Sequence, residues 1–119
     1  LVTFLNAPLP LENKTMGLWM KENIPDIHEQ RVASRHPSVN FYSGSKILKL
    51  PYVDDLDDLL TFLKHQRAKY FVVSEDLDAP YSDAYRPLLV ETGSSLSGVT
   101  RRHVLKGRKK YFLYEVGLQ

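Results

Sequence analysis

Asp54-Asp55-Leu56-Asp57-Asp58-Leu59-Leu60-Thr61-Phe62-Leu63-Lys64-His65-Gln66 and, two residues later, Lys69-Tyr70-Phe71-Val72-Val73-Ser74 decide the fold class. Leu56, Leu59, Leu60 and Leu63 recur at helical spacing and form one apolar face. Asp54 or Asp55 is placed to cap this helix, and Asp57 and Asp58 fall in its first turn, where the dipole favours anions. Lys64, His65 and Arg67 complement its C-terminal end. The stretch from Lys69 is β-branched, aromatic and almost continuously apolar, the composition of a strand buried on both faces. An amphipathic helix running directly into such a strand is the building unit of an α/β sheet.

Upstream, Met16, Trp19, Met20 and Ile24 are three and four residues apart, which predicts a helix over Glu12 to Ile24 that Pro25 stops. Gly17 costs this helix about 1 kcal/mol relative to alanine, so packing must supply its stability. Arg31 to Ser34 reads as a short strand. Pro37 suits a first helical position and Gly44 a C-terminal stop, so a short helix lies between them. Lys46 to Leu50 reads as a second strand, ended by Pro51. Residues 1–11, with Pro8 and Pro10 and no periodicity, read as a connector, and 12–119 as a single domain.

Downstream, Asp78-Ala79-Pro80 marks a helix start, with Tyr81, Ala84, Tyr85, Leu88 and Leu89 at helical spacing until Pro87 kinks or ends it. Glu91 to Gly98 is a loop. Arg102 to Lys106 and Lys109 to Val116 pair as a hairpin across Gly107-Arg108, a turn that allows positive φ at the glycine. The expected fold is an α/β domain, three-layer-like. It has a largely parallel sheet of about five strands, helices packed on it, and a C-terminal antiparallel β-hairpin at the edge.

At 119 residues the chain fits one core, and 43% hydrophobic with 25% charged residues are ordinary globular values. No run approaches the roughly 18 apolar residues of a membrane span. The absence of cysteine excludes disulfides, thiol chemistry and zinc-thiolate sites. The chain opens on Leu1 without a signal-peptide pattern, which reads as a piece of a longer polypeptide. Net charge is +2, but unevenly spread. Arg101, Arg102, Lys106, Arg108, Lys109 and Lys110 crowd a stretch without an acid, while the other residues carry ten Lys/Arg against fourteen Asp/Glu.

Nucleotide-binding signatures are missing, since neither G-x-G-x-x-G nor G-x-x-x-x-G-K-[ST] follows a strand. The turn after the first strand, Ser34-Arg35-His36-Pro37, offers side chains instead of a glycine cradle. It is either an anion contact at a helix start or a capped helix with Arg35 and His36 exposed. Glu75, Asp76 and Asp78, with Asp83, lie past the central strand, where open α/β sheets place ligands. They read as a hard-cation site or, more plainly, as a helix cap and solvated loop acids. His28, His36, His65 and His103 lack metal-ligand spacing, and no G-x-S-x-G elbow supports a nucleophile. No cofactor is implied.

The basic run has three readings. It is a set of edge-strand cations that block sheet-to-sheet pairing, a surface for anionic lipid headgroups, or a nucleic-acid contact. The excess charge is small for nucleic acid, and no RNP-like aromatic signature accompanies it. The tyrosines and Trp19 suit packing better than carbohydrate stacking, because most fall on predicted core faces.

A longer pattern links these pieces. Gly17-Leu18-Trp19-Met20-Lys21-Glu22-Asn23-Ile24-Pro25 is followed by Val32-Ala33-Ser34-Arg35-His36-Pro37, then Phe41-Tyr42-Ser43-Gly44-Ser45-Lys46 and Leu50-Pro51. Ala68-Lys69-Tyr70-Phe71-Val72-Val73-Ser74 and Tyr111-Phe112-Leu113-Tyr114-Glu115-Val116 complete it. From Met16 to Val116 the chain resembles the soluble C-terminal domain of polytopic membrane glycosyltransferases of the dolichyl- or polyprenyl-phosphate-sugar-dependent, mannosyltransferase-like kind. The resemblance implies a non-catalytic domain on the extracytoplasmic, periplasmic side of an integral membrane enzyme. Catalytic carboxylates of that family lie in its membrane portion, so no catalytic residue is carried over. Its implied partners are the membrane portion of its own parent chain, anionic lipid headgroups or a glycan acceptor. Ser34, Arg35 and His36 are then the candidate contact, and the six cations from Arg101 to Lys110 the candidate membrane-facing set. A stand-alone α/β ligand- or protein-binding module and a small nucleic-acid-binding domain are the other readings.

Overall fold

β3 (Ala68–Ser74), the strand read as doubly buried, lies at the centre of a five-stranded sheet. The computed structural model describes residues 11–75, 85–89 and 98–117. In chain order the elements are α1 (Leu11–Asn23), β1 (Arg31–Ala33), α2 (Pro37–Ser43), β2 (Lys46–Leu48), α3 (Leu56–His65), β3, β4 (Val99–Lys106) and β5 (Lys110–Val116). Single 3₁₀ turns occupy Ile27–Glu29 and Arg86–Leu89. Leu11, read as connector, is the first residue of α1. The expected helix start at Asp78 to Pro80, with Tyr81 and Ala84, and most of the loop before Gly98 lie outside the described residues.

The strand order is β2-β1-β3-β5-β4. β1 pairs in parallel with β2 and β3, whereas β5 pairs antiparallel with β3 and with β4. The sheet is therefore mixed, and the expectation of a largely parallel sheet with an edge hairpin is corrected. The hairpin supplies two of the four pairings, and β5 is an interior strand. The reason is burial: Tyr111, Phe112, Leu113 and Tyr114 are all buried, so β5 needs cover on both faces and both edges. β4 is mostly half-exposed and takes the edge.

Helices cover both faces. Leu59, Leu60 and Leu63 of α3 pack with Leu88 on Phe71, Val73, Phe112 and Tyr114. Met16 and Met20 of α1 and Val39 of α2 pack on Val32, Tyr70, Val72, Tyr111 and Leu113. The alternation along β3 and β5 between these two clusters is the two-residue period of a strand. Among the described residues no helix is long and apolar enough to cross a membrane.

Local chemistry fixes the helix ends. Asp55 Oδ1 accepts the Asp58 N–H at 2.8 Å and caps α3. Gly44 ends α2 in the left-handed region at φ 77°, donating its N–H to Asn40 O at 2.9 Å. Gly17 is where α1 meets α2. A Cβ there would lie 2.7 Å from Tyr42 Cβ and 2.8 Å from Val39 O, so the weak helix former is what lets two backbones touch.

The hairpin turn departs from expectation. Gly107 lacks positive φ, which among the described glycines belongs to Gly44 and Gly98. Residues 107–109 form a three-residue connection in place of the expected two-residue Gly107-Arg108 turn. Instead Glu12 of α1 reaches the turn, accepting the Arg108 N–H at 2.7 Å.

Candidate functional site

β1 and β3 are parallel neighbours whose C-terminal ends open toward the same side. The chain leaves β1 toward β2 on one flank and reaches β3 on the other. Such a reversal leaves a crevice at the strand ends, the usual ligand position in open α/β sheets. Ser34, Arg35 and His36 follow β1 there, and Ser74 ends β3.

The three candidate residues divide by direction. Ser34 and His36 are buried, and Arg35 is half-buried. Ser34 continues the sheet, its N–H bonded to Leu48 O at 2.9 Å, and its Oγ accepts the His36 N–H at 2.9 Å. His36 turns inward. Its Nε2 lies 2.8 Å from Ser74 Oγ, and its ring sits 5.0 Å from that of Tyr111, tilted by 52°. Arg35 turns outward, with one guanidinium nitrogen donating to Pro51 O at 3.1 Å. Its guanidinium carbon stands 4.3 Å from the centre of the Tyr52 ring and 5.7 Å from that of Tyr85. The Tyr85 hydroxyl donates to the same Pro51 carbonyl.

The chemistry follows from exposure. A serine hydroxyl and a histidine nitrogen at hydrogen-bond distance resemble a nucleophile and its base, but Ser74 is fully buried. The pair therefore ties the β1 turn to the end of β3. Arg35 and Tyr52 present the opposite case: Tyr52 is 64% exposed and holds a delocalised cation at the surface. That pair suits a carboxylate, a phosphate or an apolar ring face. Sequence reasoning found Arg35 but missed Tyr52, Pro51, Ser74 and Tyr85. Tyr52, next to Pro51, was the one with a signal, an aromatic residue outside any predicted core face.

The basic run is distributed over both faces of the sheet. Arg101 lies over Phe112 and Tyr114 on the α3 side, and its Nε and one terminal nitrogen reach Tyr114 Oη at 3.2 and 2.9 Å. The Tyr114 hydroxyl in turn donates to Leu88 O at 2.7 Å. Burial raises the Tyr114 pKa, and Arg101 partly opposes that. Arg102 is the extra residue at a register shift between β4 and β5 and pairs with Glu115 on the other face. Lys69, the extra residue at a second register shift, approaches Glu115 at 3.6 Å. The Lys110 N–H donates to Glu75 Oε1 at 2.8 Å. Lys106, Arg108 and Lys109 are exposed at the hairpin tip.

His103, beyond the register shift, faces α1. Desolvation there lowers its pKa. Glu12 is held below the usual carboxylate range, first by its own backbone N–H and then by that of Arg108.

Of the acidic candidates past β3, Glu75 closes the β3–β5 pairing, and Asp76, Asp78 and Asp83 lie outside the described residues. No three His, Asp or Glu among the described residues stand close enough together to hold a metal ion. Comparison with protein-family models, with curated proteins and with solved structures found no match for this chain.

Proposed function

We propose that this chain is a non-catalytic accessory domain of an integral-membrane glycosyltransferase that uses a lipid-phosphate-linked sugar donor. It stands on the extracytoplasmic, periplasmic side, and its Arg35–Tyr52 corner meets the membrane portion of the parent chain or the glycan acceptor. The observation that carries this reading is the meeting, in space, of motifs that are separate in sequence. Ser34-Arg35-His36-Pro37 is joined to Leu50-Pro51 through the Arg35 guanidinium, and to the end of β3 through His36 and Ser74. Gly17 is joined to Phe41-Tyr42-Ser43-Gly44 by backbone contact. The pieces that carry the resemblance thus form two spatial units.

Anionic lipid headgroups are the proposed neighbours of the hairpin tip, where each exposed cation near such a surface contributes about 1 kcal/mol. Nucleic acid is the weaker partner, because Arg101 and Arg102 face opposite ways and engage Tyr114 and Glu115.

The test is the size and membrane partition of the native polypeptide, probed with an antibody raised against this chain. A band several times 13.7 kDa that needs detergent for release supports the proposal. A product near 13.7 kDa, released without detergent, overturns it and leaves the stand-alone binding module, with Arg35 and Tyr52 as its contact.

A further inference from the structure

β2 and β4 are the two edges of the sheet, and they are protected unequally. β4 carries the register shift at Arg102, a distortion that turns an edge away from further pairing. β2 runs beside β1 in unbroken register. Lys46 donates its N–H to Gln30 O at 2.9 Å, and Leu48 O accepts the Ser34 N–H at 2.9 Å. Successive residues of a strand turn their N–H and C=O to opposite sides, so those of Ile47, between the two, point to the open edge. Ile47 pairs with Val32, which places its side chain on the α1–α2 face, and there it is 58% exposed. α2 looks out over the same edge. Asn40 faces the sheet, donating to Val32 O at 3.0 Å and Lys46 O at 3.3 Å, while Val39 and Tyr42 meet α1 at Gly17. Phe41 is one residue past Asn40, about 100° further round the helix and on the flank opposite Val39. That flank is the one above β2, and Phe41 is 78% exposed on it.

Charge identifies the occupant. From Gln30 to Val53 the chain holds Arg31, Arg35, Lys46 and Lys49 and no acid. Lys46 and Lys49 are exposed and stand in no ion pair among the described residues. Lys46 shares the α3 face with Leu48, and Lys49, between Leu48 and the buried Leu50 of that face, takes the face of Ile47. Lysine on a short edge strand opposes pairing with a second copy, because two β2 edges would set like charges side by side. Protection alone leaves Ile47 and Phe41 unexplained, since a purely protective edge sets charge there and not apolar surface. A strand that carries acids meets both conditions. We infer that the β2 edge binds an extended acidic peptide by strand addition. The peptide backbone bonds to the N–H and C=O of Ile47, and an apolar side chain lies on Ile47 beside Phe41. Carboxylates on its two faces meet Lys46 and Lys49. The main chain supplies affinity and the alternating side chains supply selectivity. The edge lies apart from the Arg35–Tyr52 contact and stands whether or not the parent chain is a membrane enzyme.

The experiment titrates the 119-residue chain with the peptide acetyl-Asp-Glu-Val-Glu-Val-Glu-Asp-amide, following backbone amide resonances and their hydrogen exchange. Two control peptides carry lysine in place of every acid, or serine in place of both valines. The expected result is saturable one-to-one binding that shifts the amides of Ile47 and Lys49 and slows exchange at Ile47 at least about ten-fold. Each control peptide should bind at least about ten-fold more weakly. Phe41→Ser and the double variant Lys46→Glu, Lys49→Glu change exposed side chains, so both should melt like the parent chain yet bind at least about five-fold more weakly. Unchanged binding in either variant overturns the proposal, as does equal binding by the lysine peptide or the absence of binding. Shifts confined to β4 also overturn it and mark the other edge as the open one. Ile47 shifts that grow with protein concentration alone overturn it in favour of a second copy of this chain.

Discussion

The rings of Trp19 and His103 stack with centroids 4.1 Å apart and planes 10° from parallel, joining α1 to the edge strand β4. The stack removes water from one face of the imidazole, and that desolvation lowers the His103 pKa. Protonation then works against the fold. Because the folded value lies below the unfolded one, the unfolded chain binds more protons in the window between them, and stability rises with pH through it. Stability is full above the unfolded value, about 6.5, and falls on acidification. Nuclear magnetic resonance titration of the four histidines, with urea unfolding at several pH values, should show His103 titrating low. His103→Phe should flatten the part of the pH slope that His103 causes.

Gly17→Ala is expected to destabilise by about 1–3 kcal/mol, although alanine is the better helix former. The added methyl meets the α2 backbone at Val39 O rather than a side chain that turns away. Urea unfolding checks the sign, and a stabilised Gly17→Ala would mean that α1 does not sit on α2 as described.

Arg67→Gly is expected to raise stability by about 1 kcal/mol, because the left-handed conformation costs that much for a residue with a Cβ. Arg67→Ala keeps the strained backbone and is expected to give no such gain. Thermal melts of the two variants side by side separate strain from charge.

Ser74→Ala is expected to cost about 1–3 kcal/mol, since it takes a hydrogen-bond partner from the buried His36 imidazole. Arg35→Ala is expected to leave stability within about 1 kcal/mol, as its guanidinium sits at the surface over Tyr52. For the glycosyltransferase proposed above the expected order reverses: Arg35→Ala should lower sugar transfer while the protein stays folded. An unchanged transfer rate in the double variant of Arg35 and Tyr52 would remove the corner from the function.

What the sequence made legible was local. The leucine period of α3, the Asp55 cap, Pro37 and Gly44 around α2 and the apolar run of β3 each depend on residues within a few positions. Strand order depends on distant pairing, and there the reading went partly astray. The clue was available in the contrast between the unbroken Tyr111-Phe112-Leu113-Tyr114 and the half-polar β4, which marks an interior and an edge strand. The site divides the same way. Ser34, Arg35 and His36 stood out as a turn after a strand, but extended backbone sends neighbouring side chains apart, so adjacent residues took opposite tasks. Ser74 is 38 residues from His36 and carries no local sign of its partner. Gly17 looked like a flaw until its neighbour across α2 was known.

The position of β5 has a consequence for how the protein is made. The ribosome delivers β1, β2 and β3 first, yet β3 meets its antiparallel neighbour only after residues 110–116 have emerged. Until then a strand of tyrosine, phenylalanine and valine has one bare edge, the kind of surface that pairs with other nascent chains. Synthesis stalled near residue 105 should therefore yield a species held by chaperones and cut by proteases, and completing the next dozen residues should close the sheet in one cooperative step.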